Sequence, residues 1–140
     1  MKLKFKVLIP FVIIIGMGLT IYFGLFLLPN LIHGQSTRVV YIAPYISYTH
    51  ECHTHSSSCT GELPNQAINF TVRNNDEIIF SGESITEENG FFQIDLNLNA
   101  NYTIQIRTFI DEILYWGFVE VETFVGSANC ITTGQLEAYS

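Results

Sequence analysis

Basic side chains are scarce in this 140-residue chain: six Lys and Arg stand against 13 Asp and Glu. Lys2, Lys4 and Lys6 are the lysines, and Arg38, Arg73 and Arg107 complete the set. All 13 carboxylates lie beyond residue 50, so with three arginines the chain after Lys6 carries a formal −10. A surface of that sign offers no electrostatic footprint for nucleic acid or anionic lipid, and no nucleic-acid partner is expected. The acids are scattered, which makes them a solubility property. Methionine is also rare, with Met1 and Met17 both in the N-terminal segment, so there is no methionine-rich metal relay. C-x-x-C, a nucleophile elbow and a phosphate loop are all missing. Those absences argue against a thioredoxin-like enzyme, a hydrolase and a nucleotide enzyme, and no enzymatic activity is expected.

What is present divides the chain. Residues 1–6 form a basic N-terminus, and Val7 to Leu28 is an uncharged apolar run. As a helix that run measures about 33 Å, enough to cross a bilayer core. A cleaved signal peptide has a shorter apolar region followed by small residues. Pro29-Asn30-Leu31-Ile32-His33-Gly34-Gln35 offers no such signal. The segment 7–29 is therefore expected to be an uncleaved transmembrane signal-anchor in a bacterial cell membrane, with a cleaved secreted form as the alternative. The lysines should stay cytoplasmic and place the rest outside. Residues 30–49 are expected to be a stalk with a first extended segment, Val39 to Ile42. Residues 50–140 are expected to be an extracytoplasmic β-domain.

The β expectation rests on period-two alternation. Ile68, Phe70 and Val72 share one face, and Asn74-Asn75-Asp76 should turn the chain back into Ile78 to Phe80. Asn89-Gly90 is a strong turn signal. It opens a second expected pair: Phe92, Ile94, Leu96 and Leu98 alternate, then Tyr102, Ile104 and Ile106 follow a turn at Asn99-Ala100-Asn101. Trp116 and the phenylalanines are expected in the core. Six or seven short strands with no amphipathic helix after residue 30 imply an all-β fold, a small β-sandwich. Thr86…Asn89-Gly90-Phe91-Phe92 with Tyr102-x-Ile104-x-Ile106 resembles the carboxypeptidase-regulatory-like and transthyretin-like sandwiches, a likeness of fold and not of function.

The chemistry concentrates in one loop. Cys52, His53, His55 and Cys59 fall within eight residues, with His50 just before them and Cys130 far downstream. A Cys52–Cys59 disulfide would suit an oxidising compartment. It would leave one thiol unpaired and give no reason for three histidines within three residues of Cys52. Metal binding accounts for both, since thiolate is a soft ligand and imidazole suits copper and zinc. Three sulfurs with an optional imidazole suit Cu(I), and the same donors form a Cys₃His zinc site. The C-x₆-C spacing differs from a zinc knuckle and favours copper over zinc. A disulfide-stabilised structural surface protein remains open at this point. His50 is equally readable as a further ligand or an exposed loop residue.

Cys52-His53-Thr54-His55-Ser56-Ser57-Ser58-Cys59-x-Gly61-Glu62-Leu63, with Cys130-Ile131-Thr132-Thr133-Gly134-Gln135-Leu136 at the far end, resembles the CueP family of copper-resistance proteins. The resemblance implies an exported β-rich domain that binds copper through Cys52, Cys59 and Cys130, with His53 or His55 adjoining. It implies copper, as Cu(I), for the bound metal. It also implies a link to copper tolerance and copper supply. The exposed thiols lead to the expectation that the domain sequesters copper, reduces it or hands it on, with a copper-donating or copper-accepting protein as partner.

Overall fold

The computed structural model describes residues 36–56 and 58–139. The basic N-terminus, the apolar run and the expected signal-anchor lie outside the described residues. Ser36–Ser140 forms one compact unit, and every regular element described in it is a β-strand: β1 Thr37–Ile42, β2 Ala67–Asn74, β3 Glu77–Ile85, β4 Phe92–Asn97, β5 Asn101–Ile110, β6 Ile113–Glu122, β7 Cys130–Ile131 and β8 Glu137–Ala138. No helix among the described residues is long and apolar enough to cross a membrane.

The strands make two sheets, one ordered β4-β1-β7 and the other β3-β2-β5-β6-β8. Alternation decides which face is buried. Val40 and Ile42 of β1 join Phe92, Ile94 and Leu96 of β4 on the inner face of the smaller sheet. Ile68, Phe70 and Val72 of β2, Tyr102, Ile104 and Ile106 of β5, and Val119 and Val121 of β6 oppose them in a single core. Each such side chain contributes about 1.5–3 kcal/mol on burial. Phe70 stacks on Phe92 at 5.7 Å between ring centroids, joining the two layers.

The turns follow local chemistry. Asp111 and Glu112, with φ of 50° and 67°, link β5 to β6, matching the doubly positive turn that fits the right-handed twist of a hairpin. The β2–β3 hairpin forms around Asn75 and Asp76 as the sequence predicts, with β3 running on to Ile85.

Three expectations need correction. Residues 36–49 belong to the domain rather than to a stalk, because β1 is the middle strand of its sheet and Val40 and Ile42 are fully buried. Strands β4 and β5 are not a hairpin: β4 pairs with β1, and β5 pairs with β2 and β6. The chain changes sheets at Leu98–Ala100, where the Thr123 hydroxyl donates to Asn97 O at 2.7 Å and accepts from Ala100 N at 3.0 Å. Alternation reports a strand's buried face and says nothing of its partner, so the crossing has no period-two signature. Finally, Trp116 and Phe118 of β6 lie outside the core, whereas Tyr115 packs against it. Trp116 is half-buried and meets the exposed Phe118 edge to face at 5.3 Å on the outer face of the larger sheet.

Candidate metal centre

The loop between β1 and β2 carries the Cys/His cluster, and each end of it is held by backbone hydrogen bonds. On leaving β1 the chain passes Tyr45, which bridges in parallel to Gln135. Glu62 then gathers the turn: its Oε2 accepts the amides of Ile46, Ser47 and Tyr48 at 2.6, 2.8 and 3.3 Å. Burial pushes that carboxyl up, but the three amides together outweigh it and hold Glu62 below the usual carboxylate range. On the other side Gly61 lies against the Asn89–Gly90 turn, where Gly61 N donates to Asn89 O. A Cβ on Gly90 would meet Gly61 C and O at 2.7 Å, so only a bare backbone fits there.

Two residues flanking Cys130 clamp the centre of the loop. Asn129 N donates to His53 O at 3.1 Å, and Asn129 Oδ1 accepts from His55 N at 3.2 Å. Thr49 Oγ1 donates to Thr132 O at 2.5 Å, and Thr132 Oγ1 donates to His50 O at 2.6 Å. Cys130 itself begins β7, which pairs in parallel with β1 so that Cys130 lies opposite Tyr41. The loop is thereby laid across the β1–β7 edge with its sulfurs inward.

There Cys130 is 1% exposed in a small second core with Ala43 and Phe91, against which Tyr41, Cys52 and Cys59 pack half-buried. Cys52 and Cys130 are joined by a disulfide across 78 residues, and Cys59 is free. The bridge is therefore not the short Cys52–Cys59 loop that sequence alone allowed. Neighbours in sequence close a loop most easily, but the clamps at Asn129 and Thr132 bring Cys130 to Cys52 instead. Cys59 stays in the cluster, its Sγ 3.1 Å from Cys52 Sγ and 3.4 Å from Ser56 Oγ.

The histidines separate by position. His55 is half-buried, stacked on Tyr41 at 4.2 Å and edge-on to Phe91 at 4.6 Å. Its Nδ1 lies 4.0 Å from Cys130 Sγ. His53, the other candidate, is exposed and enters neither of the two ligand groups found among the described residues. Those groups are His50, Cys52 and Cys59, and His55, Cys59 and Cys130, each with its donor atoms within 4.8 Å of one another. An open cleft of about 460 Å³ lined by Glu51, Cys52, His53, Thr132 and Thr133 reaches the cluster from solvent. Sequence reasoning missed Asn129, Thr132 and Glu62 as the residues that shape the loop. All three sit in or beside the two motif segments that end in Leu63 and begin at Cys130.

A protein-family model described as periplasmic copper-binding protein CueP matches residues 30–135. The chain belongs to the CueP family. That family is described as periplasmic and copper-binding, which supports an extracytoplasmic domain, and the cysteine and histidine cluster lies within the matched residues. The crystal structure of S.CueP matches it with a TM-score of 0.65 and 27% identity. That match covers 72% of this chain and 64% of the S.CueP chain, so this chain spans less than two thirds of that relative. No curated protein matches at a significant level.

Proposed function

We propose that this CueP-family domain captures copper outside the cytoplasmic membrane and holds it as Cu(I) on Cys52, Cys59 and Cys130, with His55 as the adjoining imidazole. The observation that carries this reading is the meeting of three sulfurs from distant parts of the chain: Cys52 bonded to Cys130, and Cys59 Sγ 3.1 Å from Cys52 Sγ. Opening the disulfide by two electrons would leave three thiols, with Cys59 common to two donor groups: His55, Cys59 and Cys130, and His50, Cys52 and Cys59, each within 4.8 Å. That soft donor set matches Cu(I). The apolar floor of Ala43 and Phe91 excludes water from one side, and the cleft beside Cys52 leaves the other open for exchange with a donor or an acceptor.

Copper capture can also be reductive. Two thiolates give one electron each to two Cu(II) ions, producing two Cu(I) ions and one disulfide, after which an external dithiol must restore the thiols. The Cys52–Cys130 bond is the product such a step would leave. The apolar run Val7 to Leu28 would keep the domain at the membrane. We read the two facing sheets as a carboxypeptidase-regulatory-like sandwich, on the turn and alternation that carry the resemblance.

Metal analysis of the full chain, purified in detergent with its thiols reduced, tests the site beside a Cys130→Ser variant. One Cu(I) per wild-type chain, resistant to competition by zinc, and weakened binding in the variant are expected. Equal stoichiometry and affinity in the two proteins would remove Cys130 from the site. Tighter retention of zinc than of copper would favour the zinc reading of the same donors.

A further inference from the structure

The oxidised cluster holds a free thiol in contact with a disulfide. Cys59 Sγ is in contact with Cys52 Sγ at 3.1 Å, and Cys52 is bonded to Cys130. The three sulfurs are unequal in access. Cys130 is 1% exposed beneath Ala43 and Phe91, whereas Cys52 and Cys59 are half-buried beside open solvent. Thiol–disulfide exchange proceeds by attack of a thiolate on one sulfur of a disulfide, and access decides which sulfur is attacked. No external thiol can reach Cys130, but Cys59 already touches the sulfur bonded to it.

We propose that Cys59 is an internal exchange thiol, which moves the bridge from Cys52–Cys130 to Cys52–Cys59 and back. Cys59 loses its proton to solvent and attacks Cys52 Sγ. A Cys59–Cys52 bond forms, the Cys52–Cys130 bond breaks, and its electron pair leaves on Cys130, which takes up a proton. One thiol and one disulfide remain, so the step needs no oxidant or reductant. The loop accommodates both bridges because Cys59 lies in a short turn, with Cys59 N donating to Ser56 O at 3.0 Å, and not in a strand ladder. Cys130 Sγ already lies 4.0 Å from His55 Nδ1, so the thiol released in the second isomer would have that imidazole as its neighbour. Exchange thus opens a buried thiol–imidazole pair while the domain stays oxidised. It also carries the buried bridge to two accessible cysteines, where an external dithiol can reduce it.

The proposal shares its cysteines with the copper reading but not its metal, so a metal-free experiment separates them. The full chain, purified in air with chelator and held at neutral pH, is quenched in acid, then unfolded and alkylated with N-ethylmaleimide in acidic denaturant, so that a buried thiol is also labelled. The products are mapped by non-reducing mass spectrometry. Two singly alkylated species are expected: Cys59-alkylated with a Cys52–Cys130 bridge, and Cys130-alkylated with a Cys52–Cys59 bridge. The second should form at a rate independent of protein concentration, and alkylation of Cys130 should fall at least tenfold in Cys59→Ser. Alkylation confined to Cys59 at all times would overturn the proposal. So would a Cys59–Cys130 bridge with Cys52 alkylated, since the attack would then fall on the other sulfur. Should Cys59→Ser fold poorly, Cys130→Ala supplies a second reading: its Cys52 and Cys59 should close a bridge in air, and two persistent thiols would overturn the exchange.

Discussion

Replacing Gly90 with alanine would meet two separate costs. Gly90 sits at a φ of +81°, where an L side chain is strained by about 1–2 kcal/mol. Its new Cβ would also press on backbone, meeting Gly61 C and O at 2.7 Å and Cα at 2.8 Å. Backbone cannot rotate away as a side chain can, so overpacking adds about 1–3 kcal/mol. Gly126 provides the control, because its φ is +88° but a Cβ there would meet nothing within 4 Å. Gly126→Ala should therefore show the conformational cost alone, and Gly90→Ala should exceed it by about 1–3 kcal/mol. Urea unfolding followed by the fluorescence of Trp116 reads both. Because Gly61 lies two residues after Cys59, Gly90→Ala should also displace the cysteine loop and weaken copper binding, which Gly126→Ala should leave alone. Equal destabilisation by the two variants would refute the close contact between the Gly61 and Gly90 backbones.

Two further outcomes follow from the loop's supports and ligands. Glu62 has its carboxyl pKa lowered in the folded state, so its contribution is full above the ordinary carboxylate value and is lost as pH falls through the folded one. Glu62→Gln should flatten the acid limb of the stability–pH curve measured by urea unfolding, and an unchanged limb would remove Glu62 from that role. For the imidazole, His55→Ala should weaken Cu(I) binding at least tenfold in a competition titration, about 1.4 kcal/mol, while His53→Ala changes it little. The reverse ranking would move the ligand to the exposed histidine.

How much of this was legible in the sequence differs from residue to residue. Ile68, Phe70 and Val72, or Tyr102, Ile104 and Ile106, announce their buried face because strand side chains alternate strictly. Their partners are not announced, which is why β4 pairs with β1 and not with β5. Strands β7 and β8, at two residues each, are too short to show a period. The Cys/His loop stood out by composition alone. The pairing of Cys52 with Cys130 did not, because it depends on Asn129 and Thr132 hydrogen-bonding to the backbone of His55 and His50 and on the Thr49 hydroxyl donating to Thr132 O. The difference between His53 and His55 was equally hidden, since ring placement between Tyr41 and Phe91 is a tertiary fact.

The parallel pairing of β7 with β1 joins the beginning of the domain to its end. A chain that emerges N-terminus first presents Cys52 and Cys59 to an oxidising compartment while Cys130 is still to come. During that interval the nearby pair has no competitor. The Cys52–Cys130 bond needs the last segments of the chain, and the pairing of β7 with β1 sets Cys130 opposite Tyr41. A chain stopped before Cys130 carries two of the three sulfurs. The position of Cys130 so late in the chain therefore makes the Cys52–Cys130 bond a feature of the complete domain.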